Sequence, residues 1–237
     1  MSHYVVAVFT HTEFMHEIDE LLAPFNETPS DPGYLEFVPL DRSAEEIQSN
    51  YERCKDTYKS FEDFMDSYYG AHFDPSLQAW GNMCNPNAKW DWYQVGGRWA
   101  GMLKLKDKKS CCNRAQVKDV DFSLDEDEYA EAMRFWEVYV EGQPVREGEN
   151  IDTSFILLKP EGYVDKYGTK EDYARINASF STYAYLTPEG EWVGKGEMGW
   201  FGCGTETGDS SREFQNALEK YIAEHPDQYI TIVDCHI

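Results

Sequence analysis

KWDWYQVGGRW, residues 89–99, sets three tryptophans, a tyrosine, an aspartate and an arginine around a Gly-Gly pair. How this stretch is read decides the middle of the fold. Glycine accepts positive φ freely, so Gly96-Gly97 is expected as a two-residue type I′ turn closing a β-hairpin. In that register Val95 faces Arg98, Tyr93 faces Ala100 and Asp91 faces Met102. Strand alternation then sorts the side chains. Trp90, Trp92, Gln94, Trp99, Gly101 and Leu103 share one face, and Asp91, Tyr93, Val95, Arg98, Met102 and Lys104 share the other. The tryptophan face reads as core. The charged face is expected to be solvated surface or, with Tyr93 and Arg98 as diagonal neighbours, a receptor for a phosphate or carboxylate.

Working outward, YVVAVF (4–9) reads as a strand, and Phe14, Ile18, Leu21 and Leu22 recur at helical spacing before Pro24. YLEFVPL (34–40) alternates as a strand does. Ser43 with Glu46 forms a capping box that opens a long helix over about 44–69. A strand is expected at VKDVDF (117–122) and another at TSFILL (153–158). An acidic helix is expected over 125–141, a short one over 170–176 and a third over 210–225. Residues 179–202 read as two strands joined by a Pro-Glu-Gly turn and running into a glycine-rich bend. Strands and helices mix without a βαβ rhythm. The expected class is therefore α+β, an antiparallel or mixed sheet with β-hairpins and three to four packed helices, with a ferredoxin-like first half as an analogy. One domain over 1–237 is expected, with 123–152 as the place for a subdivision.

The net charge is −23, with 44 acids against 21 bases. Such a field opposes binding to a nucleic-acid backbone and favours a basic partner. Residues 71–120, with 8 bases and 4 acids, are the basic exception, and they contain the opening motif. No apolar run approaches the ~18 residues of a membrane span. The start lacks a basic, cleavable leader, so a cytoplasmic protein is expected. The six cysteines have no CxxC spacing and are expected as free thiols.

The C-terminal YITIVDCHI carries the second constellation. In an extended strand Asp234 and His236 share a face and Cys235 takes the other. If the first and last strands were neighbours, His3 or His11 would join that pair. Asp and His can form an acid–base pair or a metal site. No HExxH, HxxxH or paired-cysteine spacing accompanies them, and neither metal nor cofactor is expected. GEMGWFGCGTETG (196–208) fits neither phosphate-loop pattern, and Trp200 within it is a candidate stacking surface.

The blocks LLAPFNE (21–27), NPNAKWDWYQVGGRW (85–99), GEMGWFG (196–202) and TIVDCHI (231–237) together resemble an uncharacterised family from bacteriophages and bacterial mobile elements. The resemblance runs from near the start of the chain to its end. It implies a phage or mobile-element setting, in which compact acidic proteins act against host defence, and it carries no catalytic residues. Two functional expectations follow. One is an acidic, host-cytoplasmic protein that binds and inhibits a host protein with a basic surface, through Asp125, Glu126, Asp127 and Glu128. The other is a small enzyme or binding protein for an anionic metabolite such as a nucleotide, using Asp91, Tyr93, Arg98, Trp200, Asp234 and His236. Their discriminator is co-location: a pocket joining these distant motifs favours the second expectation, and separate burial counts against it.

Overall fold

A computed structural model describes residues 2–107, 109–151, 156, 158–196, 205 and 207–237. In chain order the described elements are β1 (His3–Thr10), α1 (His16–Leu22), β2 (Glu36–Pro39), α2 (Ala44–Cys54), α3 (Phe61–Tyr69), β3 (His72–Asp74) and β4 (Ala79–Cys84). The central strands are β5 (Trp92–Val95), β6 (Leu103–Lys104), β7 (Cys111–Cys112) and β8 (Arg114–Gln116). Then come α4 (Glu126–Tyr139), α5 (Pro160–Tyr167), α6 (Lys170–Ala178), β9 (Ala184–Leu186), β10 (Trp192–Gly194), α7 (Gly208–Glu224) and β11 (Tyr229–His236). Among the described residues seven α-helices, more than the three to four expected, join mixed sheets and make the protein α+β. It forms two compact units, Met1–Leu21 with Trp92–Ile237, and Leu22–Asp91.

The smaller unit is a three-stranded antiparallel sheet, β2-β4-β3, with α2 and α3. Its core is Ile47, Phe64, Met65 and Ala71, flanked by Leu40, Phe61 and Trp80. The single helix expected over 44–69 is broken. α2 stops at Cys54, and Ser60 begins α3 by accepting a hydrogen bond from the Asp63 N–H at 3.1 Å. A serine that captures a backbone N–H locally competes with continuing the preceding helix. Within this unit Asn85 and Trp90 clamp the stretch after α1. Asn85 Nδ2 donates to the carbonyls of Pro24 and Asn26, and Trp90 Nε1 donates to that of Leu22 at 3.1 Å.

The larger unit is built on a six-stranded sheet of order β10-β9-β1-β11-β5, with β8 also pairing β11. The first and last described strands pair antiparallel along their whole length, from His3↔His236 to Thr10↔Tyr229. The far edge of β11 is shared: β8 takes Tyr229–Thr231 and β5 takes Val233–His236. β1 and β9 run parallel. One face carries Val5, Ala7, Phe9, Ile230, Ile232 and Tyr185, and packs Phe214 and Leu218 of α7. The other carries Val6, Val8, Val233 and Cys235, all buried. Because β1 and β2 belong to different sheets, the first half is not a ferredoxin-like unit.

The expected Gly96-Gly97 hairpin does not form. Gly96 and Gly97 do have positive φ, 77° and 49°, but the chain turns into a 3-10 helix over Gly97–Trp99 instead of folding back on β5. The reason is tertiary. Gly96 N–H donates to Ile232 O at 2.8 Å and the Arg98 N–H donates to Asp234 Oδ2 at 3.0 Å, so two groups of β11 hold the turn in this conformation. The strand expected at 117–122 is a 3-10 turn over Val117–Asp119, followed by an isolated bridge from Val120 to Leu105. The strand expected at 153–158 falls largely outside the described residues. No helix among the described residues is long and apolar enough to cross a membrane. The five described cysteines are free.

Candidate functional site

On the β1–β11–β5 part of the sheet, the face that holds the apolar core ends in polar and aromatic residues. The register places His3 opposite His236, Val5 opposite Asp234, and Trp92 and Gln94 opposite His236 and Asp234 on the far edge. His3 Nδ1 lies 2.8 Å from Asp234 Oδ1. The Arg98 N–H donates to the other carboxylate oxygen at 3.0 Å. Asp234 therefore has both oxygens engaged and keeps only 2% of its side chain exposed, against 12% for His3. A buried carboxylate is tolerable when hydrogen bonds replace its water, and this one has two partners from opposite sides.

The rings complete the cluster. His3 stands edge-on to His236 at 4.9 Å and to Trp92 at 5.3 Å, while Trp92 and His236 stack at 5.3 Å and 19°. Trp92 is 43% exposed and His236 is buried. Aromatic contacts of these kinds each contribute about 0.5–1.5 kcal/mol beyond their burial. The glycine pair makes the close approach possible. A Cβ on Gly97 would collide with the Asp234 side chain, and one on Gly96 with Asn113. Asn113 in turn accepts from the Gly101 N–H at 2.7 Å, which holds the turn against β11. The Arg98 side chain is exposed, and its guanidinium makes no hydrogen bond or ion pair with a described residue.

Of the residues singled out in the sequence, Arg98, Asp234 and His236 meet here. Tyr93 does not: it lies on the opposite face, where its hydroxyl donates to Asp19, and its pKa is raised first by burial and then by that carboxylate. Asp91 is half-buried at the end of the smaller unit. Trp200 lies outside the described residues. His3 is the member of the pair of conditional histidines that joins; His11 instead approaches Glu189 at 3.6 Å. Trp92 was placed in the core by the hairpin reading and is instead the exposed aromatic of the site. Its orientation depends on pairing with β11, which nothing local to residues 89–99 encodes. Cys235 is fully buried on the face away from Asp234 and His236, and burial pushes its thiol far up, as desolvation of a thiolate does. Among the described residues no group of three or more His, Cys, Asp or Glu is placed to hold a metal ion.

The acidic candidates lie elsewhere. Asp125 is the N-cap of α4, accepting from the N–H groups of Asp127 and Glu128 and pairing with Lys104 Nζ at 3.0 Å. Those contacts, the Glu128 N–H first, hold its carboxyl below the usual range. Glu126, Asp127 and Glu128 are exposed in the first turn of the helix, where carboxylates favour the helix dipole. A cleft of about 550 Å³ is lined by Glu128, Glu131, Phe135, Glu149 and Tyr173 among others, and a second of about 440 Å³ by Lys104, Asp121, Asp125 and Lys195 among others. Neither includes a member of the His3 cluster.

No protein-family model matches the sequence, and neither a curated protein nor a solved structure matches it.

Proposed function

We propose that the protein binds a small anionic ligand, with a nucleotide as the leading class, at the His3–Trp92–Arg98–Asp234–His236 end of the six-stranded sheet. The observation that carries this reading is convergence: segments at residue 3, at 92–98 and at 234–236 meet in one hydrogen-bonded and stacked cluster. Trp92 offers an exposed ring, and base–aromatic stacking contributes about 1–3 kcal/mol. Arg98 has an exposed side chain and a backbone N–H bound to Asp234, and a hydrogen bond to a charged group contributes about 1.5–3 kcal/mol. Calorimetric titration with AMP, ADP, NAD and orthophosphate tests the reading. A nucleotide is expected to bind, and Arg98→Ala to weaken it more than tenfold while leaving the melting temperature close to wild type. Absence of binding across the panel, or binding indifferent to Arg98→Ala, contradicts the reading.

A second reading places the protein in the phage or mobile-element setting that the sequence resemblance implies, as an acidic inhibitor docking on a basic host protein. The exposed carboxylates of Glu126, Asp127 and Glu128 on one helical turn support it. Reversing those three charges is expected to abolish a salt-sensitive complex with that protein while leaving the fold intact. Asp125 stays unmutated in this test, because reversing it would uncap α4. A complex whose affinity ignores both salt and charge reversal counts against this reading.

A further inference from the structure

We infer that His3 is a general base and Asp234 its positioning residue, so that the site cleaves a phosphate ester or anhydride of the nucleotide it holds. This inference rests on the binding reading above and adds a reaction to it.

The geometry of the pair carries the inference. An ionised carboxylate can only accept hydrogen bonds, so the contact of 2.8 Å from Asp234 Oδ1 puts the proton of neutral His3 on Nδ1. Nε2 then keeps its lone pair. The second carboxylate oxygen is held by the Arg98 N–H, so the carboxylate is fixed from both sides and the imidazole with it. Burial is graded in the useful direction: the carboxylate is sealed at 2% exposure, and the imidazole reaches solvent at 12%. A positioned histidine in its Nδ1–H tautomer is the arrangement in which a carboxylate supports proton abstraction at Nε2. His236 and Trp92 flank the ring and hold its plane, and Trp92 gives a base somewhere to stack.

The step balances with water alone. His3 Nε2 takes a proton from a water molecule, and the electron pair of that O–H bond forms the new bond to phosphorus. The P–O bond to the leaving group breaks, its pair leaves on the departing oxygen, and solvent protonates that oxygen. His3 returns its proton to solvent. The imidazolium formed in between is stabilised by the Asp234 carboxylate.

The test pairs binding with turnover on the same probes: ADP, NAD and 2′,3′-cyclic AMP, each followed by calorimetry and by chromatography of products. Wild type is expected to bind and convert at least one of them. His3→Gln is expected to lower kcat about 100-fold or more with KM little changed, the usual contribution of a positioned base. Asp234→Asn is expected to lower kcat likewise at unchanged KM. An asparagine has one oxygen for two N–H partners, and its amide would face His3 and favour the wrong tautomer. Binding without turnover by the wild type overturns the acid–base inference and leaves the binding reading standing. Absence of binding overturns both. Turnover that survives His3→Gln also overturns the inference. Wild type that binds without turnover overturns the inference whether or not a variant folds.

Discussion

Trp90 and Trp92 are two residues apart, and strand alternation assigns them one face, yet Trp90 is 6% exposed and Trp92 is 43%. The difference arises because only Trp92 belongs to β5; Trp90 precedes it and turns its indole N–H to the Leu22 carbonyl. Truncating a buried indole costs about 3–5 kcal/mol, whereas exposed substitutions stay within about 0.5 kcal/mol. Trp90→Ala is therefore expected to lower stability by about 3–5 kcal/mol. Trp92→Ala is expected to lose less, about 1–3 kcal/mol, from its two ring contacts with His3 and His236. Urea denaturation of the two variants checks this, and equal losses would contradict the placement. At this scale part of the site was legible. Alternation alone puts Asp234 and His236 together and Cys235 opposite them. The positive φ of Gly96 and Gly97 was legible too, but not its purpose, because the group that crowds Gly97 is Asp234, far along the chain.

Among the elements, helix starts were the most legible, because their signals are local. Ser43 accepts from the Glu46 N–H as its spacing indicates, and the acidic, 170s and C-terminal helices form close to their expected bounds. The break between α2 and α3 was missed because a capping serine at 60 and helix-compatible neighbours give opposing signals within a few residues. The stretch after α4 shows what one ion pair can hold. Arg134 grips Glu149 through both carboxylate oxygens, at 2.6 and 2.8 Å, and donates to the Pro144 carbonyl at 2.9 Å. The Arg134 hydrogen bond, then the Arg146 N–H, hold the Glu149 carboxyl at about 2 against an ordinary 4.5. A depressed folded pKa means the clasp contributes fully above the ordinary value and is lost as pH falls toward the folded one. Amide exchange at Gln143 and Arg146 is thus expected to accelerate between about pH 4.5 and 2, beyond the intrinsic trend, and Glu149→Gln to remove that dependence. Protection unchanged to pH 2 would contradict the clasp.

On the scale of the whole molecule, the decisive event is the pairing of β1 with β11 and of β11 with β5. Period-two alternation identifies strands but carries no information about partners, and these partners are separated by most of the chain. The sequence could therefore state only the condition under which His3 would meet Asp234 and His236. It also read a Gly-Gly turn as a hairpin, because the groups that hold the turn, Ile232 O and the Asp234 carboxylate, lie more than a hundred residues away. The acidity has a double account: α4 uses Asp125 for its cap, while Glu126, Asp127 and Glu128 remain in solvent. We propose that this long-range pairing builds one nucleotide site. Its most direct test is to follow the histidine ring signals by NMR while ADP is added. The signals of His3 and His236 are expected to shift together and saturate at one dissociation constant, with those of His72 and His225 unmoved. Shifts at His72 or His225 with His3 and His236 silent, or no shift at all, would contradict it.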